Sequence, residues 1–107
     1  MSAQSMIEEM AARIAKRFSP ERIILFGSHA RGGEAGADSD VDLLVLFQEV
    51  EDPRARAVEL YAALIGYPLA KDIVVSTTGR FERYRNVVNT VYWPAAREGK
   101  VLYERSA

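Results

Sequence analysis

Two short apolar runs, Arg22-Ile23-Ile24-Leu25-Phe26 and the stretch from Asp40 to Phe47, constrain what this chain can fold into more than any other feature. The first has the length and almost unbroken apolar character of a strand buried on both faces, and the second, opened by Asp40 and Asp42, is the clearest strand of the chain. The segment between them is too short for the crossover helix that ordinarily joins parallel neighbours. The two strands are therefore expected to run antiparallel. The first ends at Gly27, where the backbone can turn sharply, and Ser28 is suited to cap a short helix through about Arg31. Gly32 to Ser39 reads as a loop by composition.

Around this pair the remaining elements follow from periodicity. Met6, Met10, Ile14 and Phe18 recur at helical spacing, which predicts a helix over residues 3–18 closed by Ser19-Pro20. After Pro53 a second helix is expected, with Ala57, Leu60, Tyr61 and Leu64 on its buried side and Gly66 at its end. Asp72-Ile73-Val74-Val75-Ser76 reads as a third strand. Residues 79–98 read as helical with interruptions near Asn89-Thr90 and Pro94, and Val101 to Glu104 as an edge strand. The expected fold is α/β (α+β), a small mixed and partly antiparallel sheet backed by helices.

The 107 residues are enough for one domain spanning the whole chain. A formal net charge of -1 argues against a generalised nucleic-acid or membrane surface. With no cysteine and one histidine, disulfides, thiolate chemistry and a histidine-rich zinc site are excluded. No apolar run reaches membrane-spanning length, and the start of the chain is charged and amphipathic rather than signal-like. A soluble, cytoplasmic protein is expected.

The chemistry-bearing residues cluster at the strand ends. A turn at Gly27-Ser28 places backbone amides where a phosphate can reach them, although a Gly-Ser pair alone is most simply a capped turn. Arg31 could contact phosphate or make a structural ion pair. Asp40 and Asp42, two apart on a strand, should project from one face, roughly 6–7 Å apart at their Cα atoms. Asp42 sits among Val41, Leu43, Leu44, Val45 and Leu46, where a charge needs a partner or a metal. Carboxylate oxygens suit hard Mg2+, and two ions about 3.5–4 Å apart can activate a hydroxyl and hold a leaving pyrophosphate. Asp72, which opens a strand, is the best-placed third carboxylate, with a Lys71–Asp72 surface pair as the plain alternative. Asp38, Glu49, Glu51 and Asp52 fall in or beside loops.

The combination Gly27-Ser28-x-Ala30-Arg31-Gly32 followed by Ser39-Asp40-x-Asp42-Leu43 resembles the motif of the DNA polymerase beta-like nucleotidyltransferases. The short chain and its ending Gly99-Lys100-Val101-Leu102-Tyr103-Glu104 resemble their minimal (MNT) branch. The resemblance runs from Ile23 to Glu104. It implies the polymerase beta-like fold, with Gly27 and Ser28 contacting a triphosphate. It further implies Asp40, Asp42 and Asp72 as metal-binding carboxylates for two Mg2+ ions. Such domains are often encoded beside a HEPN-domain partner, as antitoxins. The implied reaction is transfer of AMP from ATP to a tyrosine of that partner. Occlusion of the partner without catalysis, or transfer to a small molecule or RNA, are the competing readings.

Other residues read as structural. His29 occupies a variable motif position, facing solvent or the phosphate side. Tyr84, Tyr92, Trp93 and Tyr103 fit core or interface roles better than base stacking. Arg80, Arg83 and Arg85 fit a solvated helix face. Phe81, Val87, Val88 and Val91 suit packing on the sheet or on a second subunit of a homo-oligomer.

Overall fold

The computed structural model describes residues 2–31 and 39–106. The order is α1 (Ala3–Phe18), β1 (Arg22–Phe26), β2 (Val41–Phe47), α2 (Pro53–Ala63), β3 (Lys71–Thr77), α3 (Thr78–Tyr84), α4 (Tyr92–Glu98) and β4 (Lys100–Glu104). The strands form one mixed sheet in the order β3-β2-β1-β4. As expected, β1 and β2 pair antiparallel, with Leu25 opposite Leu43 and Phe26 opposite Asp42. The parallel pair is β2 with β3, joined through α2, which is the crossover that parallel geometry requires.

Three of the four described helices start on a side-chain cap. Ser2 accepts from the Ser5 amide at 3.1 Å to cap α1, and Asp52 accepts from Ala55 at 3.2 Å ahead of Pro53 in α2. Thr77 accepts from Arg80 at 3.1 Å to begin α3. Pro94 does not interrupt a helix. It lies in the first turn of α4, where its missing amide removes no intrahelical bond. The break falls at residues 85–91, where Asn89 takes φ 74°.

The strand alternation sorts side chains onto two cores. Val41, Leu43, Val45 and Phe47 of β2 join Ile23, Leu25, Ile73 and Val75 on the side covered by Ile7, Met10, Ala11 and Ile14 of α1 and by Leu60 of α2. On the other side, Ile24, Leu44 and Leu46 pack against Phe81, Tyr92 and Ala95 of α3 and α4. Leu43, Leu44 and Leu46 are fully buried, each contributing roughly 1.5–3 kcal/mol through removal from water. Within the second core the Ser76 and Tyr92 hydroxyls share a 2.7 Å hydrogen bond, and the Tyr84 and Tyr92 rings stack.

Two expected packings differ. Tyr61 is 38% exposed rather than on the buried side of α2. Val87 and Val88 are exposed, whereas Phe81 is buried and Val91 packs beside it. None of the described helices is long and apolar enough to cross a membrane.

Candidate active site

The site lies where β1 ends and β2 and β3 begin. Gly27 leaves β1 with φ +75°, a left-handed conformation that favours glycine. A side chain there would also collide, since an added Cβ would run into the Asp42 carboxylate, with the carboxyl carbon at 3.3 Å. The absence of a Cβ at position 27 therefore makes room for Asp42.

The short helix expected after Ser28 is absent among the described residues. In its place are two successive tight turns, with the Ala30 amide donating to the Gly27 carbonyl at 3.0 Å and Arg31 to Ser28 at 3.2 Å. Those two amides are thereby engaged. The amides of Ser28 and His29 have no partner among the described residues. His29 Nε2 lies 3.1 Å from the Ser39 carbonyl, tying the turn to the approach of β2. Arg31 is held by Glu98 of α4, Nη1 to Oε2 2.9 Å, so the structural ion pair is realised. Gly32 and Asp38 lie outside the described residues.

Two of the three acidic residues, Asp42 and Asp72, occupy one side of the sheet. In the parallel β2–β3 register Asp42 is paired with Asp72, at the inter-strand spacing of about 4.8 Å. Both alternate with residues of the second core, Leu44 and Val74, so the carboxylates share that face. Asp40 precedes β2, which starts one residue later than expected. Asp42 is half-buried, whereas Asp40 and Asp72 are exposed. Burial, then the negative charges of Asp72 and Asp40, raise the Asp42 pKa above the ordinary carboxylate value, with His29 acting in the opposite direction. Lys71 does not neutralise its neighbour, because its Nζ donates to the Tyr67 carbonyl at 3.3 Å.

This donor set fits a hard divalent cation. It consists of the Asp42 and Asp72 carboxylates on one face with the charge of Asp40 felt at Asp42, and the mutual repulsion is what a bound cation would relieve. Among the described residues, no three acidic, histidine or cysteine side chains are gathered tightly enough to enclose a metal ion alone. Asp40, Asp42 and Asp72 are thus not brought together as one three-carboxylate cage; an Mg2+ ion there would draw on one or two carboxylates together with water and substrate phosphates.

Sequence reasoning missed two contacts. Tyr61 reaches from α2 around the β3 edge, where its hydroxyl accepts from the Ile73 amide at 2.8 Å and faces Asp72 Oδ1 at 3.5 Å. Glu98 is the other, the anchor of Arg31. Neither pair is close in sequence, and no spacing rule signals them. Of the basic residues near α3, Arg80 and Arg83 are exposed, as expected of a solvated helix face, and Arg85 is half-buried; all three also lie over aromatic rings. Arg80 and Arg83 sit over Tyr84, and Arg85 over Phe81.

The sequence model described as "Nucleotidyltransferase domain" matches residues 7–93. No curated protein matches closely enough to count as a relative. Among solved structures, a candidate nucleotidyltransferase from Sulfolobus solfataricus superposes with TM-score 0.63 at 21% identity, covering 94% of this chain and 79% of that one. A toxin–antitoxin with AMP-PNP gives TM-score 0.60 at 25% identity, covering 92% of this chain and 73% of that one. A mutant of the MntA-HpeT toxin–antitoxin, with two aspartates two residues apart replaced by glutamate, gives TM-score 0.61 at 22% identity and the same coverage, 92% and 73%.

Proposed function

The chain belongs to the nucleotidyltransferase domain family, and from that premise we propose that it transfers AMP from ATP to a tyrosine of a HEPN-type toxin partner, as an antitoxin. The observation that carries the chemistry is the β2–β3 register, which sets Asp72 beside Asp42 and downstream of Asp40. Support for the partner comes from the similarity to a toxin–antitoxin chain crystallised with AMP-PNP.

In this reading the Ser28 and His29 amides and the Ser28 hydroxyl bind the triphosphate, beside the space left by Gly27. Arg31 adds positive charge at the same turn when it leaves Glu98. Asp40, Asp42 and Asp72 would hold Mg2+, which when bound neutralises phosphate charge and the leaving pyrophosphate. Asp72, on the edge strand β3, takes the proton of an incoming hydroxyl in this reading. The chain works as one minimal domain, and the partner covers the exposed side of Asp40 and Asp72.

A second reading, neutralisation by occlusion, is favoured by one observation. Val58 on α2 and Ile65 just past its end are 66% and 78% exposed, apolar groups suited to a protein surface.

Intact mass spectrometry tests both. The chain, the product of its neighbouring gene, ATP and Mg2+ are incubated beside an Asp40→Asn, Asp42→Asn double variant. A gain of AMP on the partner, absent with the variant, is the expected result. A tight complex with no mass change would reject transfer and leave occlusion.

A further inference from the structure

Of the chain's five tyrosines, Tyr61 is the one whose hydroxyl meets one of the three acidic residues. The Tyr67 hydroxyl donates to Glu9 at 3.3 Å, and that of Tyr92 is buried against Ser76. Tyr61 stands on the outer side of α2 and is 38% exposed. Because β3 is the sheet's edge strand, no further strand among the described residues covers the point where this hydroxyl meets it.

We propose that Tyr61 is itself an acceptor, so that the chain nucleotidylates its own phenol when no partner is present. The proposal rests on the transferase reading above. The hydroxyl geometry suits an attacking nucleophile. One lone pair takes the Ile73 N–H at 2.8 Å, the proton faces Asp72 Oδ1 at 3.5 Å, and the second lone pair remains free. The Ile73 amide stabilises negative charge that develops on the oxygen as the proton departs. In the step itself a lone pair on Tyr61 Oη attacks the α-phosphorus of a nucleoside triphosphate. The Oη–P bond forms, and the bond from that phosphorus to the bridging oxygen breaks. Pyrophosphate departs with the electron pair, and the phenolic proton passes to the Asp72 carboxylate. No oxidant or reductant is needed.

The arrangement also gives the partner a competitor. A tyrosine delivered to Asp72 by another protein must displace a phenol already resident there, so partner binding should suppress self-labelling.

The test uses the purified full chain with ATP and Mg2+, first without the partner and then with it added, read by intact mass and by peptide mapping. The expected result is one added nucleoside monophosphate on Tyr61, formed at a rate constant independent of protein concentration. The label is expected to be absent in Tyr61→Phe and Asp42→Asn, both shown folded by circular dichroism, and reversed by excess pyrophosphate. Labelling of the partner by the same preparation while Tyr61 stays bare would overturn the inference and leave the transferase reading standing. A label on a different residue would also overturn it. No label on either chain would remove the transferase reading and this inference together.

Discussion

Replacing Gly27 with alanine separates two effects that the structure superimposes at one position. The first is backbone strain. A non-glycine residue held at φ +75° costs about 1–3 kcal/mol. For a domain near 100 residues each kcal/mol lowers Tm by about 4–8 °C. The second is steric, because the new methyl would occupy the space of the Asp42 carboxylate. That carboxylate is the end of a side chain, so it can swing aside, but it then leaves its place beside Asp72. Misplacement of a reacting group by about 1 Å can cost roughly 10²-fold in rate. Gly66→Ala is the matched control. Gly66 also has positive φ, 107°, yet nothing lies within 4 Å of its added Cβ. Both variants should lose comparable stability in a thermal melt, and Gly27→Ala alone should lose about 100-fold in nucleotide transfer. Wild-type transfer by a destabilised Gly27→Ala chain would refute the argument that this glycine exists to seat Asp42.

The raised pKa of Asp42 means the native fold disfavours its ionised form. The resulting penalty is absent below the ordinary carboxylate value, where folded and unfolded chains are both protonated, and is complete above the folded pKa. In chelator, Asp42→Asn should therefore raise Tm at neutral pH, with the gain vanishing in acid melts; a gain that persists in acid would contradict it. Tyr92→Phe strands the buried Ser76 hydroxyl and should cost about 1–3 kcal/mol in urea unfolding, whereas adding Ser76→Ala to it should recover part of that loss. Leu44→Ala opens a cavity between β2 and the α3–α4 layer and should cost about 2–5 kcal/mol by the same measurement.

Much of the architecture was legible because strand and cap signals are local. The apolar run Arg22–Phe26, the short span to β2, and Gly99 before β4 required no long-range knowledge. The same holds for Asp42, whose side of the sheet follows from strand periodicity, whereas Asp40 falls just before β2, where that periodicity does not apply. Asp72 could be chosen as third carboxylate because it opens a strand, but its pairing with Asp42 is a property of register that no single strand encodes. The short helix after Ser28 was misjudged because a good capping residue does not by itself provide enough intrahelical bonds to continue. Tyr61 was misplaced for a different reason. Apolar residues surround α2, from Leu60 and Leu64 on one side to Val58 and Ile65 on the other. Periodicity therefore could not select its buried face.

The pairing of Asp42 with Asp72 makes the apolar interior an alignment gauge for the polar rim. Strand side chains alternate with period two, so sliding β3 by a single residue would turn Asp72 toward α1 and α2 and bring Lys71 or Ile73 beside Asp42. What prevents the slide is the seating of Ile73 and Val75 against Leu43 and Val45. Lengthening the loop between α2 and β3 should thus be harmless, whereas a one-residue insertion within β3 before Ile73 would disconnect the acidic group from a fold that still forms.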